Sequence, residues 1–479
     1  MSHQIRRHKL RKKSGCLCCR RRRKACDETT PICGRCSLSG RACEWPDVTQ
    51  LVDRRYTSHP NSRYSGTSDV SLVCLRSTNT AHAQLTTDLE VVISRHFIEK
   101  YYEFLVLPNC HPAFRDGWIR DIQELMTEDE SLRYSVLANA ASHIHNMDTN
   151  PGMQSLALNY YSKSIRGLSK VLTQASDPYL TSCNGFLSSV ILLYLLGCMG
   201  KGTYFDVPPH VHAAMRVITL RLFRTSSIEL QPFDCLALES VLYQIFLAST
   251  VLWSDEASLI EFDLDFWLKA ESLLQTSVMF PGKPNSLNSP VLGVPAALFR
   301  LAIQVQQACR SPAMYDFEAR QSLRREVETW EGIVLANRMI GCTADHNPAT
   351  RQQTYYEGAS YLYVLIVSLL LDQISESPEC DSPSGRQSSR LPEPVPRWQV
   401  ETAIRIIRSF ENDTGWSGCY IGNWPVYTLG FFLSAEEDID LIRNEMSRRW
   451  TSASFMQVSR FHADLEAVWS ARKHSLTCT

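Results

Sequence analysis

Seven of the 17 cysteines in this 479-residue chain crowd between Cys16 and Cys43. With Cys18 set aside they run C-x2-C-x6-C-x6-C-x2-C-x6-C through Cys16, Cys19, Cys26, Cys33, Cys36 and Cys43, so each half repeats C-x2-C-x6-C. Thiolates at this spacing suit one kind of chemistry, because a C-x2-C pair closes on a single tetrahedral Zn²⁺ at about 2.3 Å. Six ligands are an awkward number for closed sites that take roughly four each. Two tetrahedral ions need about eight metal–sulfur bonds, and six thiolates supply them only when two sulfurs bridge. The charge left on such a cluster is about −2. A disulfide framework is the competing use of dense cysteines, but it belongs to short secreted chains. Here the other ten cysteines lie singly between Cys74 and Cys478, as small buried hydrophobes do in a reducing compartment.

Cations crowd the same segment. Arg20, Arg21, Arg22, Arg23 and Lys24 sit between the second and third ligands, and Arg6, Arg7, Lys9, Arg11, Lys12 and Lys13 form a basic arm ahead of the first. Residues 1–55 hold 15 Lys and Arg against 5 Asp and Glu, whereas the remainder holds 34 against 45. The formal net charge of −1 therefore conceals a basic head on an acidic body, and a basic head suits a polyanionic partner. Arginine is the side chain that bonds a guanine O6/N7 edge bidentately, which is worth about 1–3 kcal/mol of discrimination. The arm suits nuclear import, phosphate binding, or both.

On these residues the chain resembles the fungal binuclear zinc cluster (Zn2Cys6) transcription factors. The resemblance implies that Cys16, Cys19, Cys26 and Cys33 hold one zinc and that Cys16, Cys33, Cys36 and Cys43 hold the other. Cys16 and Cys33 would then be the bridges. Pro31 falls at the family's loop proline. The family places the short helix after the second cysteine in the DNA major groove and reads a CGG triplet with the residues three and four positions beyond that cysteine. Those are Arg22 and Arg23 here. Arg20, Arg21, Lys24, Arg11, Lys12 and Lys13 would contact phosphates, which adds affinity and salt dependence but no sequence information. Two positions depart from the pattern. Cys18 occupies a spacer and reads as a non-ligand, and Ala25 stands where many members carry Lys or Arg.

The remaining sequence must position and regulate this head. Residues 46–84 are polar and turn-rich and read as a flexible linker, without the heptads of a coiled coil. From about residue 85 apolar side chains recur at three- and four-residue steps, in Leu89–Leu107, Ile119–His145, Met153–Ala175, Val211–Phe223, Asp234–Trp253 and Leu298–Arg310. Pro281–Pro295 and Pro378–Pro396 interrupt the helices. Ser434-Ala-Glu-Glu437 reads as a capping box opening a helix to about Trp450. Its acids also suit an activation segment, though the simpler reading is an acid-rich first turn. The stretches His96–Tyr102, Asn288–Gly293 and Trp424–Tyr427 resemble parts of the fungal-specific regulatory domain, which implies an all-α body over residues 85–479.

No secretory signal is expected, since no apolar h-region follows the basic N-terminus. No segment is expected to span a membrane. Phe186–Gly200 and Tyr361–Leu371 read as core helices, being shorter than the roughly 20 residues a span requires. A soluble intracellular protein follows. Neither a GxSxG elbow, a Walker A loop, GxGxxG nor HExxH occurs, so no enzyme is expected. His143 and His145 are two apart and would face different sides of a helix, while His210 and His212 read as ordinary polar residues.

The expected architecture is a basic arm (1–15), a zinc cluster of two short helices around two zinc ions (16–43), a linker (46–84) and a large all-α regulatory domain (85–479). The expected function is a nuclear, sequence-specific regulator of RNA polymerase II transcription. Its partners would be CGG-type double-stranded DNA and the transcription machinery or co-regulators, and a metabolic or biosynthetic gene set is the family-level target. Homodimerisation stays open. Two rivals remain: a zinc-dependent protein-interaction adaptor, and an enzyme that the zinc module targets to chromatin.

Overall fold

The computed structural model describes residues 16–22, 24, 26–27, 29, 32–44, 88–108, 110–174, 177–200, 207–224, 230–250, 262–283, 285–311, 314–341, 348–376 and 397–477. The chain divides into two compact units, Met1–Leu72 and Val73–Thr479. The basic arm, the linker and Pro378–Pro396 fall outside the described residues. Among those described there is no strand. The molecule is mostly helical, with a cysteine cluster in the first unit and a large helical second unit.

The first unit carries two one-turn helices, α1 (Leu17–Arg21) and α2 (Gly34–Leu38). In the second, the chain runs through α3 (Asp88–His96), α4 (Pro112–Leu125), α5 (Glu130–Asp148), α6 (Pro151–Gln174), α7 (Asp177–Ser182), α8 (Asn184–Met199), α9 (Val207–Leu222) and α10 (Pro232–Thr250). It continues through α11 (Leu264–Thr276), α12 (Asn285–Asn288), α13 (Ala296–Arg310), α14 (Phe317–Gly341), α15 (Pro348–Glu376), α16 (Trp398–Ser409), α17 (Thr414–Gly418), α18 (Asn423–Gly430), α19 (Glu436–Ala453) and α20 (Met456–Thr477).

Three elements differ from their sequence patterns. The periodic stretch Ile119–His145 is two helices, because the Asp129 carboxylate accepts from the Leu132 N–H at 2.9 Å and starts a new helix at Glu130. The capping box does not form: α19 starts at Glu436 behind Ala435, with no side-chain cap. Its acids are drawn elsewhere. Arg408 donates to Glu437 and Asp438 at 3.0 Å each, and Lys473 donates to Glu436 at 2.8 Å. The acids thus form a first helical turn, while Ile439, Leu441 and Ile442 behind them are buried. Third, one helix does reach membrane-spanning length and apolarity, since Thr354–Ile374 within α15 qualifies by length and composition over 21 residues. Ser360 and Asp372 bound its apolar run at Tyr361–Leu371, which hides the full helix from a count of consecutive apolar residues. Of its most apolar stretch, 72% is buried inside the protein, where α13, α14, α16 and α18 pack against α15.

Rings join these helices at the centre. Phe246 meets Phe299 edge-on at 4.8 Å and Trp424 at 5.1 Å, and Tyr363 stacks on Trp424 at 5.3 Å. Near the C-terminal end a buried ion pair adds a polar tie. Arg449 Nε lies 2.9 Å from Glu445 Oε1, and Arg449 Nη1 donates to the Cys419 carbonyl at 2.9 Å and to Asn423 Oδ1 at 2.8 Å. His143 turns away from His145. Its Nδ1 lies 2.9 Å from His96 Nε2 and its Nε2 lies 3.0 Å from the Ala453 carbonyl. Burial, with the His143 ring beside it, pushes His96 down to about 4, so this tie is made between neutral imidazoles at neutral pH.

One of the regulatory-domain stretches, Asn288–Gly293, closes around a buried carboxylate. Glu239 Oε2, buried in α10, accepts from the Val291 N–H at 2.8 Å, the Leu292 N–H at 3.0 Å and the Ser289 hydroxyl at 2.9 Å. Tyr420 donates to the Val291 carbonyl at 2.9 Å. The loop reverses at Gly293, whose φ of +67° suits glycine. A Cβ there would also stand 2.7 Å from Leu107.

Candidate metal centre and nucleic-acid interface

The internal repeat of the cysteine segment becomes a repeat of local structure. Cys16 precedes α1 and Cys33 caps α2, while Cys19 and Cys36 lie one turn further in. In both halves the later cysteine donates its backbone N–H to the earlier sulfur at 3.4 Å, from Cys19 to Cys16 and from Cys36 to Cys33. A helix N-terminus favours anionic sulfur, so the fold prepares these positions for thiolates. Cys33 in turn donates its N–H to Cys43 Sγ at 3.3 Å, and Leu17 N–H bonds the Glu44 carbonyl at 2.7 Å and closes the segment on itself.

The sulfurs converge. Sγ of Cys16 lies 3.7 Å from those of Cys33 and Cys36, and Sγ of Cys19 lies 3.7 Å from that of Cys33. A disulfide needs about 2.05 Å. The edge of a tetrahedron with 2.3 Å metal–sulfur bonds is about 3.8 Å, and the observed separations match that edge. Two sets of four lie mutually within 4.8 Å: Cys16, Cys19, Cys26 and Cys33, and Cys16, Cys33, Cys36 and Cys43. Cys16 and Cys33 are common to both. An all-sulfur, tetrahedral donor set is what zinc prefers, so the residues present fit two zinc ions. Bound zinc would supply charge neutralisation and a structural cross-link, since a closed four-sulfur site leaves no open position for catalysis.

Cys16, Cys19, Cys33 and Cys36 are fully buried. Burial and the neighbouring Cys16 thiol push the Cys19 thiol up to about 12, and burial raises Cys36 as well. Burial acts the same way on Cys16 and Cys33, but the N–H donors of Cys19 and Cys36, together with bonds from neighbouring cysteine side chains, hold both thiols down. Cys19 and Cys36 therefore resist ionisation until a cation compensates, which links metal binding to folding.

Sequence reasoning missed two supporting residues. Asp27 Oδ1 accepts from the Thr29 hydroxyl at 3.0 Å and from the Gly34 N–H at 3.1 Å, tying the first half to α2. Burial would raise the Asp27 carboxyl, but the bonds from Thr29 and Gly34 hold it below the usual carboxylate range. Gly34 permits the approach, because a Cβ there would lie 2.5 Å from Asp27 Oδ2. The only local signal was an acid directly after Cys26 and a glycine directly after Cys33.

The cations fall less uniformly. The α1 helix starts directly after Cys16 rather than after Cys19, so Arg22 stands on the turn beyond it. Arg22 and Lys24 are exposed. Arg21 is exposed but lies 3.6 Å from Glu44, a solvent-screened pair of little energy that a phosphate could replace. Arg35 and Arg41 add exposed cations that the sequence reading did not assign. Arg23, Arg11, Lys12, Lys13 and Pro31 lie outside the described residues, as does the Arg20 side chain.

The fungal specific transcription factor domain matches residues 92–479, most of the helical unit and most of the chain. The chain belongs to the fungal specific transcription factor domain family. This fungal family member is 26% identical over 268 residues to the aspercryptin biosynthesis cluster-specific transcription regulator atnN of Emericella nidulans, covering 53% of this chain and 40% of atnN. Shorter matches are to transcription factor lfc1 of Flammulina velutipes, 51% identical over 39 residues, and to transcriptional regulatory protein moc3 of Schizosaccharomyces pombe, 58% identical over 36. Each of these two covers 8% of this chain, and 14% and 7% of the relatives' own length. The chain thus spans well under half of the relatives it matches. No solved structure matches it. Membership, with relatives that are transcription regulators, makes this chain one of a fungal transcription regulator family whose cysteine cluster is consistent with a Zn2Cys6 domain.

Proposed function

We propose that the protein is a zinc-dependent, sequence-specific DNA-binding regulator of RNA polymerase II transcription, acting in the nucleus. Residues 16–43 form a Zn2Cys6 module, and the helical body from about residue 85 regulates it or recruits co-regulators. Two zinc ions bridged by Cys16 and Cys33 hold α1 and α2 together, Arg22 and Arg23 read a CGG-type triplet in the major groove, and Arg20, Arg21, Lys24 and the basic arm contact phosphates. The observation that carries this reading is the convergence of six cysteines into two overlapping sets of four, with exposed cations directly behind α1. A scaffold that small gains its stability from metal, and cations held beside it meet a polyanion without rearrangement. The targets are a metabolic or biosynthetic gene set.

The test is selection from a randomised duplex pool by the zinc-loaded full chain. Enrichment of CGG-containing sites is expected, with affinity falling steeply as salt rises. A fixed spacing between two triplets would show that two copies bind together. A folded, zinc-loaded chain that selects no sequence would remove the DNA-reading role and leave the cluster as a protein-interaction module.

A further inference from the structure

The helical unit contains a cavity of about 290 Å³ beside α4, bordered also by residues from the end of α9 and the start of α10. That size lies near the lower end of the roughly 300–1,000 Å³ of small-molecule sites. Its lining combines the rings of Phe114, Trp118 and Phe233 with the cations of Arg120 and Arg221 and the single carboxylate of Asp121. Arg221 is rigidly held. It lies 2.7 Å from Asp234, donates to Asn184 Oδ1 at 2.9 Å and to the Thr181 carbonyl at 3.2 Å, and sits 5.6 Å from the Phe233 ring centre. Asp234 neutralises it. Arg120 is exposed and feels the neighbouring Asp121 carboxylate, but it makes no ion pair within 4 Å among the described residues.

Gly117 also lines the cavity, in the interior of α4. Glycine weakens a helix interior, so it needs a reason to stand there. Its backbone is not left-handed, and no neighbour excludes a side chain, because a Cβ at Gly117 would meet no atom within 4 Å. Its effect is to leave the space open. An aromatic-lined space kept clear by glycine, beside Arg221 neutralised by Asp234 and an exposed Arg120 without a close ion pair, has the make-up of a ligand site.

We propose that this cavity binds a small, flat aromatic molecule carrying a carboxylate. The ring packs against Phe114, Trp118 and Phe233, and the carboxylate meets Arg120 in a charge-assisted hydrogen bond. Such a site would give the regulatory unit a chemical input separate from its DNA-reading head.

Calorimetric titration of the full chain with 2-naphthoate tests the site. Saturable one-site binding is expected. Gly117→Leu fills the space and should weaken binding by about tenfold or more, while melting no lower than wild type. Gly117→Ala keeps most of the volume and should retain binding, which separates occlusion of the cavity from a change in the helix. Arg120→Gln should weaken 2-naphthoate by about tenfold and leave neutral 2-naphthol nearly unchanged. Absence of saturable binding to the folded wild type, or equal binding by Gly117→Leu, would overturn the proposal. DNA selection by the same preparations reports separately on the cysteine cluster.

Discussion

The sulfurs of Cys16 and Cys33 lie 3.7 Å apart, and these two cysteines are the pair shared by both sets of four. Each of the other four cysteines belongs to one set. With metal in both sets these two cysteines would carry the integrity of the whole centre, and the helix starts after Cys16 and at Cys33 hold them in place.

Metal stoichiometry should expose that asymmetry. The wild type is expected to hold about two zinc ions per chain. Cys16→Ala or Cys33→Ala should lose both ions, whereas Cys26→Ala or Cys43→Ala should damage one set first and retain more metal. Elemental analysis of the purified full-length variants decides the matter. Equal zinc in Cys16→Ala and Cys26→Ala would rule out bridging by Cys16.

The exposed cations behind α1 should separate into two classes. Arg22→Ala is expected to cost about 1–3 kcal/mol on the selected site and to relax preference at the triplet. Lys24→Ala should weaken selected and scrambled duplexes alike and lower the salt slope by about one. Binding isotherms over a salt series distinguish them. A uniform loss for both variants would mean that Arg22 reads no base.

A pH dependence is built into the body. Burial pushes the Glu239 carboxyl up to about 7, even though the Leu292 and Val291 N–H groups and the Ser289 hydroxyl pull it down. A carboxyl raised in the folded state binds its proton more tightly there than in the unfolded chain, so its contribution to stability falls as pH rises from about 4.5 to about 7. The loss amounts to about 3 kcal/mol across that window. Glu239→Gln cannot titrate. The difference in unfolding free energy between wild type and Glu239→Gln should therefore decline with rising pH, while contributions from the metal centre cancel in the subtraction. A pH-independent difference would show that the carboxyl titrates in its ordinary range.

Much of the candidate site was legible because its determinants are local. A C-x2-C pair brings its two sulfurs together within one turn, and a repeated C-x2-C-x6-C says that the turn occurs twice. The supporting contacts were not legible. Nothing in the string says that Asp27 reaches the Gly34 N–H across seven residues, or that Glu44 competes for Arg21. The body behaves likewise. Hydrophobic periodicity announced helices but not their breaks, so Ile119–His145 passed for one helix until the Asp129 cap divided it. Ser434 passed for a cap until Arg408 and Lys473, from elsewhere in the chain, took the acids a capping box would use.

By itself the sequence determined the cysteine spacing that brings sulfurs together, the basic head on an acidic body and the helical class, because each depends on neighbours within about a turn of chain. Tertiary structure decided what pairs across distance. Glu239 meets a loop 52 residues away, and His143 meets His96 across 47 residues and Ala453 across 310. It also decided where space is left, since only the packing of α4 beside the ends of α9 and α10 makes Gly117 the wall of a cavity. Local spacing constrains which atoms a short segment can bring together. Contacts between distant segments depend on how whole helices pack, and no short window of sequence contains that information.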